Sequence, residues 1–181
     1  MAKVITFSTK FPSYHFKKGK PTFFVEQALN SLGIDFRSYK YGQLLTELNP
    51  ELPAIVVKTY WLGLAAAEYE QKHHTIREGA RFAAGELFSP RIWLCRPYHP
   101  NFYEGKKIPS QLILAPDTQV KRTWRFELTE DQYLLEGGKL DLKMLKEVAR
   151  NDGFVDSDDL ELWFQKPMKG QVICWSDKVK Y

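Results

Sequence analysis

"KHHTIREGARF", residues 72–82, packs a Lys, two His, a Thr and two Arg around a single isoleucine. A surface would scatter such residues and a core would exclude them, so the tract is the first candidate for a site. In an extended segment successive side chains alternate, which sets Thr75 and Arg77 on one face and points His73 and His74 to opposite sides. The two histidines are therefore poorly placed to share a metal ion, and the chemical weight moves to Lys72, Thr75 and Arg77. An ammonium, a hydroxyl and a guanidinium in one concavity can hold an anion or an acidic nucleic-acid backbone. With a lysine of lowered pKa beside it, the threonine hydroxyl could instead serve acyl chemistry. A solvated edge strand carrying ordinary surface charges is the plain alternative.

Working outward, "KVITFS" (3–8) alternates apolar and polar residues and predicts a first strand. "PTFFVEQALNSLG" (21–33) opens on Pro, closes on Gly and spaces Phe24, Ala28 and Leu32 along one helical face. "YGQLLTELNPELPA" predicts a turn of helix broken by Pro50 and Pro53, and "WLGLAAAEYEQK" (61–72) a helix leading into the central tract. Strand character returns at 87–98, 110–116 and 170–176, and alternation over "TQVKRTWRFELT" (118–129) predicts one long strand. "LDLKMLKEVAR" (140–150) is an amphipathic helix stopped by Asn151-Asp152-Gly153. Asp156 or Ser157 then caps a short helix, "DDLELWFQK". Strands follow one another without regular βαβ units, so the expected class is α+β, a small mixed or antiparallel barrel-like sheet flanked by helices.

With 181 residues, 44% apolar and 14% aromatic, the chain can bury one sizeable core, and a single domain over 1–181 is expected. Its net charge of +4 permits a polyanionic partner without demanding one. The distribution says more. "KFPSYHFKKGK" (10–20) holds Lys10, Lys17, Lys18 and Lys20 with no acid, "RPYHPNFYEGKK" (96–107) interleaves basic and aromatic residues, and 129–161 is acid-rich. Cys95 and Cys174 lack ligand or disulfide spacing and read as buried free thiols. A metal or cofactor site is not expected, because GxxxxGK[ST], GxGxxG, HExxH and GxSxG are all missing. No signal-peptide or membrane-length apolar run occurs, so the reading is a cytoplasmic protein without a membrane partner.

The second candidate is Asp152. A carboxylate just past a helix C-terminus faces the negative end of the helix dipole, which raises its pKa and suits it to accept a proton. A turn-former beside Gly153 is the plain alternative.

"ITFSTKF" (5–11), "KHHTIR" (72–77), "FAAGELF" (82–88) and "ARNDGFVDSDDLELWF" (149–164) resemble, in order, the signatures of the ASCH domain, a branch of the PUA-like superfamily. The central tract is similar to that family's K-x-x-T-I-R element, and residues 12–60 stand out as an insertion atypical of it. The resemblance implies a small PUA-like β-barrel with flanking helices and a cleft that binds RNA or a modified nucleoside. Arg77, His74, Lys17, Lys18 and Lys20 would contact that ligand, and aromatics such as Tyr14, Phe16, Trp93 and Tyr98 could stack on bases. Small members of the family are amidohydrolases of N-acetylated cytidine. By motif position Lys72 and Thr75 match two of their catalytic residues, with Asp152 where a Glu is expected. That reading makes Thr75 the nucleophile, Lys72 its activator and Asp152 the acid/base. Shortening Glu to Asp removes one methylene of reach, which matters where a displacement of about 1 Å can cost a hundredfold in rate. A protein-interaction module with an inert cleft is the third reading.

Overall fold

The computed structural model describes residues 2–64 and 70–181. Among them the chain is α+β, with two open sheets, a separate hairpin and helices packed around them. In the first sheet β1 (Lys3–Thr6) runs parallel to β3 (Leu87–Trp93), which pairs antiparallel with β6 (Gln111–Ile113) and, at its start, with β7 (Thr118–Gln119). The second is wholly antiparallel, in the order β10 (Gly138–Lys139), β9 (Tyr133–Leu135), β8 (Arg122–Leu128), β11 (Met168–Cys174) and β2 (His74–Glu78). The hairpin joins β4 (Asn101–Tyr103) to β5 (Lys106–Ile108).

The single strand expected over 118–129 is split where it changes sheets. Val120 is fully buried and exchanges backbone hydrogen bonds with Gly85 and Glu86 in the turn leading into β3, whereas the Lys121 N–H donates to Cys174 of the second sheet at 2.7 Å. At the opposite edges the link is a side chain, the Arg77 guanidinium donating to the Thr6 carbonyl at 2.5 Å. No sheet closes on itself among the described residues, so the barrel expected from sequence is two open sheets hinged at one corner.

Helix α1 (Phe24–Ser31) buries Phe24, Val25, Ala28 and Leu29. It begins three residues after Pro21, because Lys10 bridges Pro21 and the Thr22 hydroxyl donates to Ser8 at 2.5 Å, holding this stretch extended. Helix α2 (Tyr39–Leu48) is capped by Ser38 and is longer than the single turn expected, since both prolines lie beyond its end. The helix expected over 61–72 falls partly outside the described residues. Helix α3 (Ala54–Leu62) precedes most of that span and stops at Gly63. Helices α4 (Leu142–Asn151) and α5 (Ser157–Trp163) are capped by Asp141 and Asp156.

Phe36, Leu45 and Val57 of the 12–60 segment belong to the same apolar cluster as Phe126 and Val172 of the second sheet. Asn49 fastens this segment to the first sheet. Its amide donates to the carbonyls of Leu45 at 2.8 Å and Ile113 at 2.9 Å, and its oxygen accepts from the Ile113 N–H at 2.8 Å. No described helix is long and apolar enough to cross a membrane.

Asn49→Ala leaves the half-buried Ile113 amide without its acceptor, and an unmet group of this kind costs about 1 kcal/mol. Urea unfolding followed by circular dichroism should show the midpoint falling with an unchanged slope.

Candidate functional site

Three chain segments meet at Lys72. Its N–H donates to the Gln27 carbonyl of α1 at 3.2 Å, and the next amide, of His73, donates to the Asn151 carbonyl of α4 at 2.8 Å. The segment entering β2 is thus pinned between two helices, and its lysine is driven inward until 1% of it is exposed.

The end of α4 receives it. Gly153, at φ +88°, and Phe154 donate back to the carbonyls of Arg150 and Ala149 at 2.8 and 3.0 Å, the double closure of a Schellman C-cap. Gly153 has a second reason to lack a side chain. A Cβ there would lie 2.2 Å from the Gln27 Oε1 and 3.3 Å from the Lys72 Cδ. This turn presents Asp152 to Lys72, whose ammonium donates both to a carboxylate oxygen and to the backbone carbonyl of Asp152. The other carboxylate oxygen accepts from the Ile76 N–H at 3.0 Å. A cation therefore sits at the negative end of the α4 dipole and neutralises the acid that the sequence places there.

Burial dominates the electrostatics of this pair. It pushes the Lys72 ammonium down to about 8 against the opposing pull of Asp152. It also raises the Asp152 carboxyl, against Lys72, the Ile76 N–H and Arg77. Both directions say that desolvation outweighs mutual attraction, so the pair contributes little to stability for its rarity. Shifted groups of this kind concentrate at functional sites.

Thr75 and Arg77 share with Lys72 and Asp152 a cavity of about 10 Å³, walled by Phe7, Phe24, Phe154, Trp163 and Phe164. That is room for about one water molecule. The Lys72 ammonium lies 4.4 Å from the centre of the Phe24 ring, and Phe24, Phe154 and Trp163 pack edge to face with centroids 5.1 to 5.6 Å apart. Arg77 is engaged on Thr6, and burial lowers its pKa.

His74 does not reach the cavity. It is fully buried, with Nε2 2.7 Å from the Tyr181 hydroxyl, and burial, then Lys72, then His73 hold it well below the usual histidine range. Of the lysines in the basic loop, Lys17 pairs with Asp159 at 2.5 Å and lies over the rings of Phe11 and Phe16, while Lys10, Lys18 and Lys20 are exposed. His15 is buried beneath them and its Nδ1 accepts from the Lys17 N–H.

A second hollow, of about 500 Å³, opens on the other side of Gly153. Phe11, Phe23 and Phe154 provide its apolar walls, Lys17 and Lys20 line it together with the acid Glu70, and Gln27 and Gly153 separate it from the Lys72 stem. The Gln27 side-chain oxygen is buried without a hydrogen-bond partner. A shallower groove of about 970 Å³ between β9 and α5 shares only Phe164 with the Lys72 cavity.

Sequence reasoning brought Lys72, Thr75, Arg77 and Asp152 together but did not find Gln27, Phe24, Phe154 or Trp163. Gln27 carried a signal, a polar residue three positions after Phe24 on an otherwise apolar helical stripe. The aromatics carried none, because nothing in their spacing joins residue 24 to residues 154 and 163. The chain matches no protein-family model, no curated protein and no solved structure.

Lys72→Met strands the Asp152 carboxylate in the interior, at a cost of about 3 kcal/mol or more, and Asp152→Leu strands the ammonium likewise. The double substitution should recover much of the loss in an unfolding cycle. Between pH 8 and 10.5 the folded lysine has released a proton that the unfolded chain keeps, so wild-type stability should rise with pH across that window. The double variant should lack that rise.

Proposed function

We propose that the chain is an ASCH-like, PUA-like protein that binds RNA or a modified nucleoside in a basic cleft. The observation that carries this reading is the 500 Å³ hollow separated from the Lys72–Asp152 pair only by Gln27 and Gly153 among the described residues, with exposed Lys20 on its side and aromatic rings on its walls. Its volume suits a nucleotide. A base would stack on Phe23 or Phe154, and its phosphate would meet Lys20 and Lys18. The unpartnered oxygen of Gln27 offers an acceptor to an exocyclic amine once the base displaces the side chain from Gly153. The corner at Val120–Lys121, where the chain passes from one sheet to the other, and the Arg77–Thr6 bridge between edge strands β2 and β1 support the barrel-like reading.

Amide hydrolysis is the second reading, favoured by a lysine lowered to about 8 in the same cavity as a threonine hydroxyl. The free Lys72 amine would take the Thr75 proton, Oγ1 would attack the acyl carbon, and Lys72 would return the proton to the departing amine. Water would then release the acyl group. Binding ranks first because the cavity at Thr75 admits about one water until Phe24 or Phe154 moves.

Calorimetric titration with N4-acetylcytidine 5′-monophosphate should show saturable binding that weakens with salt and falls about tenfold in Lys20→Glu. Absence of binding at millimolar ligand sinks the cleft reading. Chromatographic assay of the same compound addresses hydrolysis. Turnover should climb as pH passes about 8, where Lys72 becomes free amine, and vanish in Lys72→Ala and Thr75→Ala. Turnover in either variant excludes the assigned roles.

A further inference from the structure

Among the described large apolar side chains Tyr98 is the most exposed. Tyr98, at 92% exposure, and Phe102, at 60%, stand on one arm, residues 94–110, that leaves the first sheet after β3. Tyr98 occupies an unusual backbone. The His99 N–H donates to the Arg96 carbonyl at 3.1 Å, with Pro97 second and Tyr98 third at φ +63°, the pattern of a type II turn whose third position normally takes Gly. An aromatic residue there stores strain, and burial does not offset it, because the side chain is 92% exposed with the Trp93 ring beside it at a centroid distance of 5.2 Å.

The rest of the arm is braced. Ser110 donates to His99 at 2.8 Å, Asn101 to Pro109 at 3.1 Å, and the Leu94 N–H to Ser110 at 2.9 Å. Within the β4–β5 hairpin Phe102 faces Lys107 across the strands and Tyr103 faces Lys106. Each aromatic is thereby set beside a cation. Residues 91–108 hold Arg91, Arg96, Lys106 and Lys107 against the one acid, Glu104. Since β1 and β3 are parallel neighbours, with Thr6 opposite Arg91, they leave the sheet at the same end. One continues into the basic loop at 10–20 and the other into the arm.

We infer that this arm is a stacking platform for a single strand of polynucleotide, with bases on Tyr98 and Phe102 and phosphates on Arg96, Lys106 and Lys107. Exposed rings at fixed positions offer π-faces to any base, and the neighbouring cations track the backbone. The charge excess favours a polyanion over a protein partner, whose apolar docking face would exclude so many lysines. The inference rests on the nucleic-acid reading of the cleft and extends the contact to a strand several nucleotides long.

Fluorescence anisotropy of the full chain with fluorescein-labelled U12 and dT12 tests it. Tyr98→Gly should raise the melting temperature, because the turn gains its preferred residue, and yet weaken binding about tenfold, the loss of one stacked base. Phe102→Ser should weaken it comparably. Lys106→Glu with Lys107→Glu should flatten the salt dependence by about 1.4 in the logarithmic slope, two phosphate contacts on a single strand. Binding of U12 alone supports an RNA strand, and equal binding of both probes supports either polynucleotide. The platform is overturned if neither probe binds, or if the arm variants bind both as tightly as wild type. In the second case a loss confined to Lys20→Glu leaves the cleft reading standing without the arm. Nucleotide binding in the cleft should be unchanged by all arm variants.

Discussion

A lysine ammonium buried against a carboxylate at the end of a helix is the constraint around which this molecule is arranged. Lys72 reaches its position because its own amide and that of His73 are tied to α1 and α4. Asp152 meets it because the α4 C-cap turns on Gly153. The same carboxylate then holds the middle of β2 through the Ile76 amide. Two helices and an edge strand therefore share one charged contact. Desolvation outweighs attraction in that contact, so it must be supported by the packing around it.

That support is aromatic. Phe24, Phe154 and Trp163 exclude water from the pair and strengthen its electrostatics, while closing the cavity to about 10 Å³. A roomier hollow lies next door, across Gly153, where the 12–60 segment contributes Lys20, Phe23 and Gln27. The segment that looked like an addition to the domain thus builds one wall of its largest hollow near Lys72. The charged pair and the hollow are separated by a glycine and an amide side chain.

The sequence made some of this legible. Thr75 and Arg77 share a face because a strand repeats every two residues, and both do line the cavity. The α4 stop at Asn151-Asp152-Gly153 and a cap of α5 at Asp156 or Ser157 follow from local hydrogen bonding alone, and Asp156 takes the cap. Other parts were misread for a physical reason. Alternation from 118 to 129 continues smoothly in sequence, yet the strand changes sheets at Val120, because burial of that residue obeys two different neighbours. Lys17 looked like a free phosphate contact, but its charge is engaged by Asp159, 142 positions away. Cys95 looked buried on a strand and is half-exposed in the arm.

By itself the sequence determined what depends on neighbours along the chain: the α+β class, the helices at 24–31, 142–151 and 157–163, the stop of α4, and the face shared by Thr75 and Arg77. Tertiary structure alone decided that α1 would reach Lys72, that the two sheets would stay open and meet at a corner, and that His74 would be sealed beneath Tyr181. It also raised Tyr98 and Phe102 on a braced arm. The division has one cause. Local hydrogen bonding and side-chain periodicity act over a few residues, whereas burial, and with it the charge state of Lys72 and Asp152, depends on segments 80 residues apart in the chain.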